Sequence, residues 1–317
     1  MNIRDIVTRL AIPAVVALFL MSVAISNPVF FSWENLSNVL LQASIIGIIS
    51  IGMTPVIIGG GIDLSVGSVA ALAAIVLAIT CGYGYPVLPA TILALLVGLG
   101  CGAANGVAVS FFGIPSFIAT LGMMGLARGL ALLSSRGQPL SDIGSISLFL
   151  GEGNIIGVPM PVIIFAIVGL LLYGFLRRSI GGTHLYAIGG NARAAWISGV
   201  DIRGYVAGTY VFCGLLASLA GITVAGRLGS AQPLAGNLYE LDSITAAVLG
   251  GGSLSGGKGS ALGTAAGAVL LAAIRNAMVL MDLSPYLHQI VIGLVLISVF
   301  LVDSIRKGGK DPLKNGH

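Results

Sequence analysis

Charge is what this chain has least of. Asp, Glu, Lys and Arg make up 8% of its 317 residues, where soluble domains carry roughly 25%. A chain this long with so few charges has no polar coat to turn toward water, which excludes an ordinary soluble domain. Histidine is scarcer still, at three residues (His184, His288 and His317). None stands at a metal-ligand spacing or in a hydrolase pairing with serine, so the sequence points to neither a metal centre nor a membrane protease. The three cysteines, Cys81, Cys101 and Cys213, lack metal spacing and even pairing and read as small apolar fillers. The one Gly-Gly-Lys-Gly-Ser stretch, at 256–260, lacks the G-x-x-x-x-G-K-[ST] frame of a nucleotide-binding loop, because Lys258 is followed by Gly259. The chain does not read as an enzyme, and nothing in it calls for a cofactor. The net charge of +4 fits membrane topology and requires no nucleic-acid partner.

What is present is apolar length and glycine. Hydrophobic residues reach 56%, mean hydropathy is +1.05, and there are 47 glycines. Small residues let membrane helices approach closely and let them break. Apolar segments fall at 8–25, 39–58, 64–80, 90–112, 116–133, 161–176, 205–225, 243–250, 261–281 and 287–302. Most approach the ~20 residues that a bilayer core needs. None alternates with period two, which excludes a transmembrane β-barrel. The fold class expected is all-α, a polytopic membrane helical bundle of about ten spans forming one transmembrane domain over 1–317. Residues 10–25 follow Arg4 and Arg9, but Asn27-Pro28 comes where a cleavage site would, so they read as a first span rather than a signal peptide. Two segments look like interrupted helices: 39–58, which runs into Pro55 and Gly59-Gly60-Gly61, and 243–250, too short to cross alone.

Lys and Arg set the orientation. With ten crossings and both termini cytoplasmic, Arg4, Arg9, Arg177, Arg178, Arg193, Arg203, Lys258, Arg306, Lys307, Lys310 and Lys314 fall inside, eleven of 15 basic residues. Residues 303–317 then form a basic cytoplasmic tail. Two Gly/Ser-rich breaks resemble each other, GGGIDLSVGS at 59–68 and GGGSLSGGKGS at 250–260. They fit either duplicated halves or two unrelated turns.

The most distinctive stretch is the basic island at 177–204, RRSIGGTHLYAIGGNARAAWISGVDIRG. Gly189-Gly190 ends what precedes, Asn191 is a good N-cap, residues 192–198 form about two helical turns, and Gly199 stops them. The expected product is a loop carrying a short exposed helix with Arg193 on it. A helix so short is marginal in water and needs something to dock against. The bland alternative is a loop that only obeys the positive-inside rule. Gly190→Leu is expected to disturb the turn.

YAIGGNARAAWISGV (186–200) resembles the coupling loop of the permease subunits of bacterial ABC importers for monosaccharides, the ribose, xylose and galactose class. The resemblance extends through GGGIDLSVGS (59–68), GRLGSAQPLAGNLYELDSITAAVLGGGSLSGGKGS (226–260) and SPYLHQIVIGLVLI (284–297), over about residues 30–303. It implies a permease in the bacterial inner membrane that pairs with a second permease copy or a homologue. A cytoplasmic ATP-binding subunit would dock on 177–204, and a periplasmic sugar-binding protein would deliver solute. The coupling residues implied are Gly189, Gly190, Asn191, Arg193, Ala194, Ala195, Ser198 and Gly199. The family also includes permeases for autoinducer-2 and other sugar-like solutes.

Polar groups in or near the spans are the candidates for a translocation path or gate: Asp63, Ser65, Asn105, Gln232, Asn276 and Gln289. Asp63 and Ser65 equally suit a helix cap, and the amides equally suit helix–helix bonds. Arg136, in the longest outer loop (134–160), and Glu240 and Asp242, set beside Arg227 at the outer edge, are candidate contacts for a binding protein. His288 reads as a boundary residue. An ion-coupled secondary transporter is the competing class, but intramembrane acids and histidines able to relay a proton are few.

Overall fold

The computed structural model describes Met21, Val23, Ile25, residues 27–284, and residues 286–298 apart from 288, 292 and 296. The expected first span is almost wholly outside this range. His288 and the basic tail lie outside it entirely. After a 3-10 turn at Pro28–Phe31 come α1 (Trp33–Ile58), α2 (Val66–Gly82), α3 (Val87–Ser110), α4 (Ser116–Ser135) and α5 (Gly144–Glu152). A hairpin of two-residue strands follows, β1 (Asn154–Ile155) and β2 (Val158–Pro159). The chain continues as α6 (Met160–Arg178), α7 (Ile180–Gly190), α8 (Ala192–Ile197), α9 (Ile202–Leu228), α10 (Tyr239–Leu249) and α11 (Ala261–Leu280). Six of these helices, α1, α3, α4, α6, α9 and α11, are long and apolar enough to cross a membrane. The architecture is that of a multi-pass helical membrane protein, and the small hairpin is the only sheet among the described residues.

Helix positions follow the apolar segments closely, and the break after the second apolar segment falls at Gly59–Gly61 as its glycines indicate. α1 carries Pro55 inside it and runs on to Ile58, although proline cannot donate to the carbonyl four residues back. The helix stops where Gly59 N donates to Pro55 O (2.9 Å) and Gly60 N to Ile57 O (3.0 Å), with Gly60 at φ 84°. The island at 177–204 is not a loop holding one short helix. Most of its first half is itself helical, as α7. Ser179 caps α7 by accepting from Gly182 N at 2.9 Å.

The chain divides into two compact units, one of Met1–Val39 with Leu270–His317 and one of Leu40–Val269. In the first, Asn35 and Asn276 exchange side-chain hydrogen bonds at 2.8 and 2.7 Å, and Asn35 also donates to Phe30 O at 2.9 Å. Phe30, Val23 and Ala277 form an apolar cluster of the same unit. In the second unit, α1 from Ala43 onward is buried on nearly all sides, as expected of a helix apolar all round. Its Thr54 hydroxyl meets Thr264 of α11 at 2.8 Å. Ala73 and Leu77 of α2, Ala90 and Ala94 of α3 and Ile222 of α9 form an apolar core.

Close packing here is made of small residues at every fourth position. Ala90, Ala94, Gly98, Gly102 and Gly106 lie on the face α3 buries. A Cβ at Gly98 would strike the Gly214 carbonyl, one at Gly102 the Tyr210 carbonyl, and one at Gly106 would lie 2.8 Å from the Ala207 carbonyl. α3 and α9 therefore touch backbone to backbone, the arrangement small-xxx-small patterns allow. α5 joins α9 in the same way, with Ser147 Oγ donating to Ile222 O at 2.8 Å. The large apolar residues of the outer faces, such as Leu88, Leu126 and Leu171, are left exposed, as helices that cross lipid require.

Candidate functional site

The two Gly-rich breaks and the Gly-Gly pair of the basic island meet. Gly257 N donates to Ile58 O, the last residue of α1, at 2.8 Å. Gly189 stands so close to the same carbonyl and to Gly257 N that a Cβ there would collide with both. A Cβ on Gly256 would lie 2.8 Å from Gly189 O and 3.1 Å from Gly60 Cα. The Tyr186 hydroxyl donates to Gly259 O at 2.7 Å. Burial pushes its phenol above the ordinary value, so it stays a neutral donor. The 250–260 turn is closed on itself by Ser253 N donating to Lys258 O at 3.1 Å. The end of α1, the end of α7 and the turn before α11 thus form one junction of main chain against main chain. Positive φ at Gly256 (83°) and Gly257 (71°) is the reason that turn can present its amides.

α8 hangs from this junction. Asn191 is its N-cap and accepts from Ala194 N at 3.0 Å. Gly199, at φ 81°, ends it by donating to Trp196 O at 2.9 Å. Ser198 donates its hydroxyl back to Ala194 O at 3.0 Å. Ala195 is buried (4% exposed) and anchors the helix, while Trp196 (63%) and Ile197 (71%) stand out. Arg193 lies over the Trp196 ring at 5.9 Å. Trp196 and Ile197 are not among the coupling residues that the resemblance implies, although two large apolar side chains inside a basic segment are themselves a signal. A Cβ at Gly190 meets nothing within 4 Å, so of the two glycines Gly189 is the one whose side-chain space is filled.

The polar candidates at the first break hold it together. Asp63 is buried and its Oδ1 accepts from Ser65 N (2.9 Å) and Ser65 Oγ (2.6 Å). Asn105 of α3 donates to Ser65 Oγ at 3.0 Å. Just before them Ile62 N donates to Ser116 Oγ at 3.3 Å, and Ile62 O accepts from the Thr120 and Tyr210 hydroxyls at 3.5 Å each. Irregular backbone inside a membrane protein must find its partners in protein or in a wet cavity. Here side chains of α4 and α9 supply those of Ile62, and Asn105 of α3 braces the Ser65 hydroxyl. A cavity of about 350 Å³ adjoins this segment, lined by Gly60, Ser116, Ile188, Ala192 and Tyr210.

Of the other candidates, Gln232 is exposed beside a narrow crevice against Ala70 and Gly221. Within the first unit, Asn276 is bonded to Asn35 and Gln289 is exposed. Arg136 is exposed and ends α4 in the left-handed region at φ 52°. Asp242 is buried (2%) in the first turns of α10, whose inner face is packed, so it offers no surface to a partner, and the local role is the one its burial fits. Glu240 is partly buried, and its electrostatic neighbour is Arg128 rather than Arg227. Arg128 in turn donates to Pro233 O (2.6 Å) and Ala235 O (2.9 Å), pinning the irregular segment before α10 to α4.

Buried helix breaks, bonded through neighbouring spans and joined to an exposed amphipathic hook, define a polytopic membrane protein of the transporter type. Residues 35–300 match the family described as the permease component of branched-chain amino acid transport systems, and the chain belongs to that family. It is similar to the ribose import permease protein RbsC of Escherichia coli (strain K12), 43% identical over 88% of each chain. The ribose import permease of Bacillus subtilis (strain 168) is 39% identical over 89% of this chain and 88% of the relative. The D-allose transport system permease protein AlsC of Escherichia coli (strain K12) is 33% identical, over 89% and 87%. The family's description names amino acids, whereas these relatives are named for sugars. The resemblance to monosaccharide ABC-importer permeases drawn from the motifs therefore stands. No solved structure matches the chain.

Proposed function

We propose that the chain is the membrane-spanning subunit of an ATP-driven importer that carries a monosaccharide across the bacterial inner membrane by alternating access. Ribose is the first solute to test, given the two ribose permeases among its relatives. The observation that carries the coupling mechanism is the contact of Gly189 with the Ile58 carbonyl and Gly257. A force on α8 reaches the ends of α1 and of the turn before α11 through main-chain contact, with no side chain in between to rotate and absorb it. In this reading a separate ATP-binding subunit covers Arg193, Ala194, Trp196 and Ile197 on the cytoplasmic side. Its closure on ATP pulls the junction, and the spans rock about the two Gly-rich breaks. A periplasmic sugar-binding protein supplies solute, and a second permease, identical or homologous, completes the pore. Ten spans with cytoplasmic termini agree with this sidedness.

Asp63, Ser65, Asn105 and Asn276 already bond within the protein, so they belong to its frame. Gln232 and Gln289, exposed in the single chain, are the amides open to an uncharged sugar. The test is uptake into proteoliposomes holding the permease, its ATP-binding subunit and its binding protein. Uptake should need ATP and survive a proton- and sodium-collapsing ionophore. Gradient-driven uptake without ATP would replace this reading with a secondary transporter.

A further inference from the structure

An apolar groove of about 400 Å³ lies between α6 and α9, floored by Pro55 of α1 and bounded by α7. Leu171 and Phe175 form one wall, and Tyr205, Gly208 and Phe212 the other. From Gly204 to Phe212 it runs about 12 Å along α9, at 1.5 Å per residue. Leu171 (66% exposed) and its neighbour Leu170 (63%) are lipid-facing in a bilayer, so the groove opens sideways to acyl chains rather than to water. Its volume is typical of small-ligand sites, roughly 300–1,000 Å³.

One end of the groove is basic. Leu171, Phe175 and Arg178 are spaced by four and three residues and share a face of α6. Arg178, the last residue of α6, therefore stands on the groove's face one turn beyond Phe175. Arg177 beside it is turned to Tyr173, bonded at 3.2 Å and stacked on the ring. At the same end His184 Nδ1 and the Tyr205 hydroxyl are 3.0 Å apart, which places a second polar group at the rim. The nearby carboxylate, Asp201, caps α9 by accepting from Gly204 N at 3.1 Å. An apolar channel facing lipid, with a helix-terminal arginine at its end, has the polarity of a phospholipid: tail along the channel, phosphate at the guanidinium.

We infer that this groove binds an acyl chain of an anionic phospholipid whose phosphate meets Arg178. The inference requires only that α6 and α9 sit in a bilayer, so it stands or falls apart from the docking role of α8. A lipid seated here touches Leu185 of α7 and Pro55 near the end of α1, and so braces the two helices that meet at Gly189.

The test is native mass spectrometry of the delipidated, detergent-purified chain titrated with phosphatidylglycerol or phosphatidylcholine. The wild type should retain one phosphatidylglycerol in preference to phosphatidylcholine. Gly208→Leu fills the groove, and because a Cβ at Gly208 meets nothing within 4 Å the fold accommodates it; this variant should lose the retained lipid. Arg178→Gln, an exposed change that leaves the groove intact, should weaken phosphatidylglycerol about fivefold, one basic residue's share near an anionic surface, and leave phosphatidylcholine unchanged. Equal retention of the two lipids by the wild type would overturn the inference. So would undiminished phosphatidylglycerol retention by Gly208→Leu, or a loss of dimer mass in that variant, which would make the groove an interface between copies.

Discussion

Gly189 and Gly190 are neighbours of one residue type with opposite demands. A methyl at Gly189 collides with Ile58 O and Gly257 N, while one at Gly190 points into open space. Gly189→Ala should reduce uptake at least tenfold, since forcing volume into such a contact costs about 1–3 kcal/mol or shifts the backbone. Gly190→Ala should transport normally. Equal effects of the two would show that the junction transmits nothing. Asp63 separates frame from function in the same way. Asparagine keeps an oxygen for Ser65 N and Oγ, so Asp63→Asn should preserve folding and thermal stability. Asp63→Ala leaves a buried amide and hydroxyl without their acceptor, a loss of about 1–3 kcal/mol, and should lower the melting temperature in detergent. If Asp63→Asn folds normally yet cannot transport, its charge serves the path. At this scale the glycine pair, the Asn191 cap and the acidic residue before α2 were readable from type and spacing. Which glycine is crowded was not, because the crowding atoms come from residues more than 60 positions away in the chain.

Elements were the most legible level. Long apolar runs dictate helices in lipid, where every backbone group must be satisfied within the segment. The segments at 90–112, 116–133 and 261–281 became α3, α4 and α11 with small shifts at their ends. The segment 39–58 ends as a helix at Ile58, just before the glycines at 59–61, with Pro55 held inside its last turn. The four glycines of Ile180–Gly190 lower helix propensity; packing of Leu185 and Ile188 overrides that deficit. The α3–α9 contact gives a clean test of element packing. Gly102→Ala drives a methyl at the Tyr210 carbonyl and should lower thermal stability markedly. Gly100→Ala, whose methyl meets nothing within 4 Å, should be neutral or stabilising by up to about 1 kcal/mol from helix propensity. Thermal unfolding followed by fluorescence in detergent distinguishes them. Removal of the α8 cap by Asn191→Ala should cost about 1 kcal/mol of local helix stability and weaken cysteine crosslinking between Ala194→Cys and the ATP-binding subunit.

For the whole molecule the decisive question is sidedness. One span, α6, separates the hairpin tip at Ile156 (98% exposed) from α8 with Ile197 (71%). The two positions must lie on opposite faces of the membrane if α6 crosses it. In a background without the native cysteines, Ile156→Cys should react with an impermeant maleimide in intact spheroplasts, and Ile197→Cys only after permeabilisation. Labelling of Ile197→Cys from outside would put α8 in the periplasm, and no cytoplasmic ATPase could then reach it.

Composition and periodicity alone determined that this is a helical membrane protein, and the order of its motifs determined its family, because lipid tolerates so few backbone solutions and because several ordered motifs rarely coincide by chance. Tertiary structure alone decided that the breaks at 59–61 and 250–260 are neighbours, that Gly189 joins them, that Asn276 is spent on Asn35, and that Asp242 is buried while Trp196 is not. These are contacts between residues far apart in sequence, and a pattern read along one chain holds no distance across it.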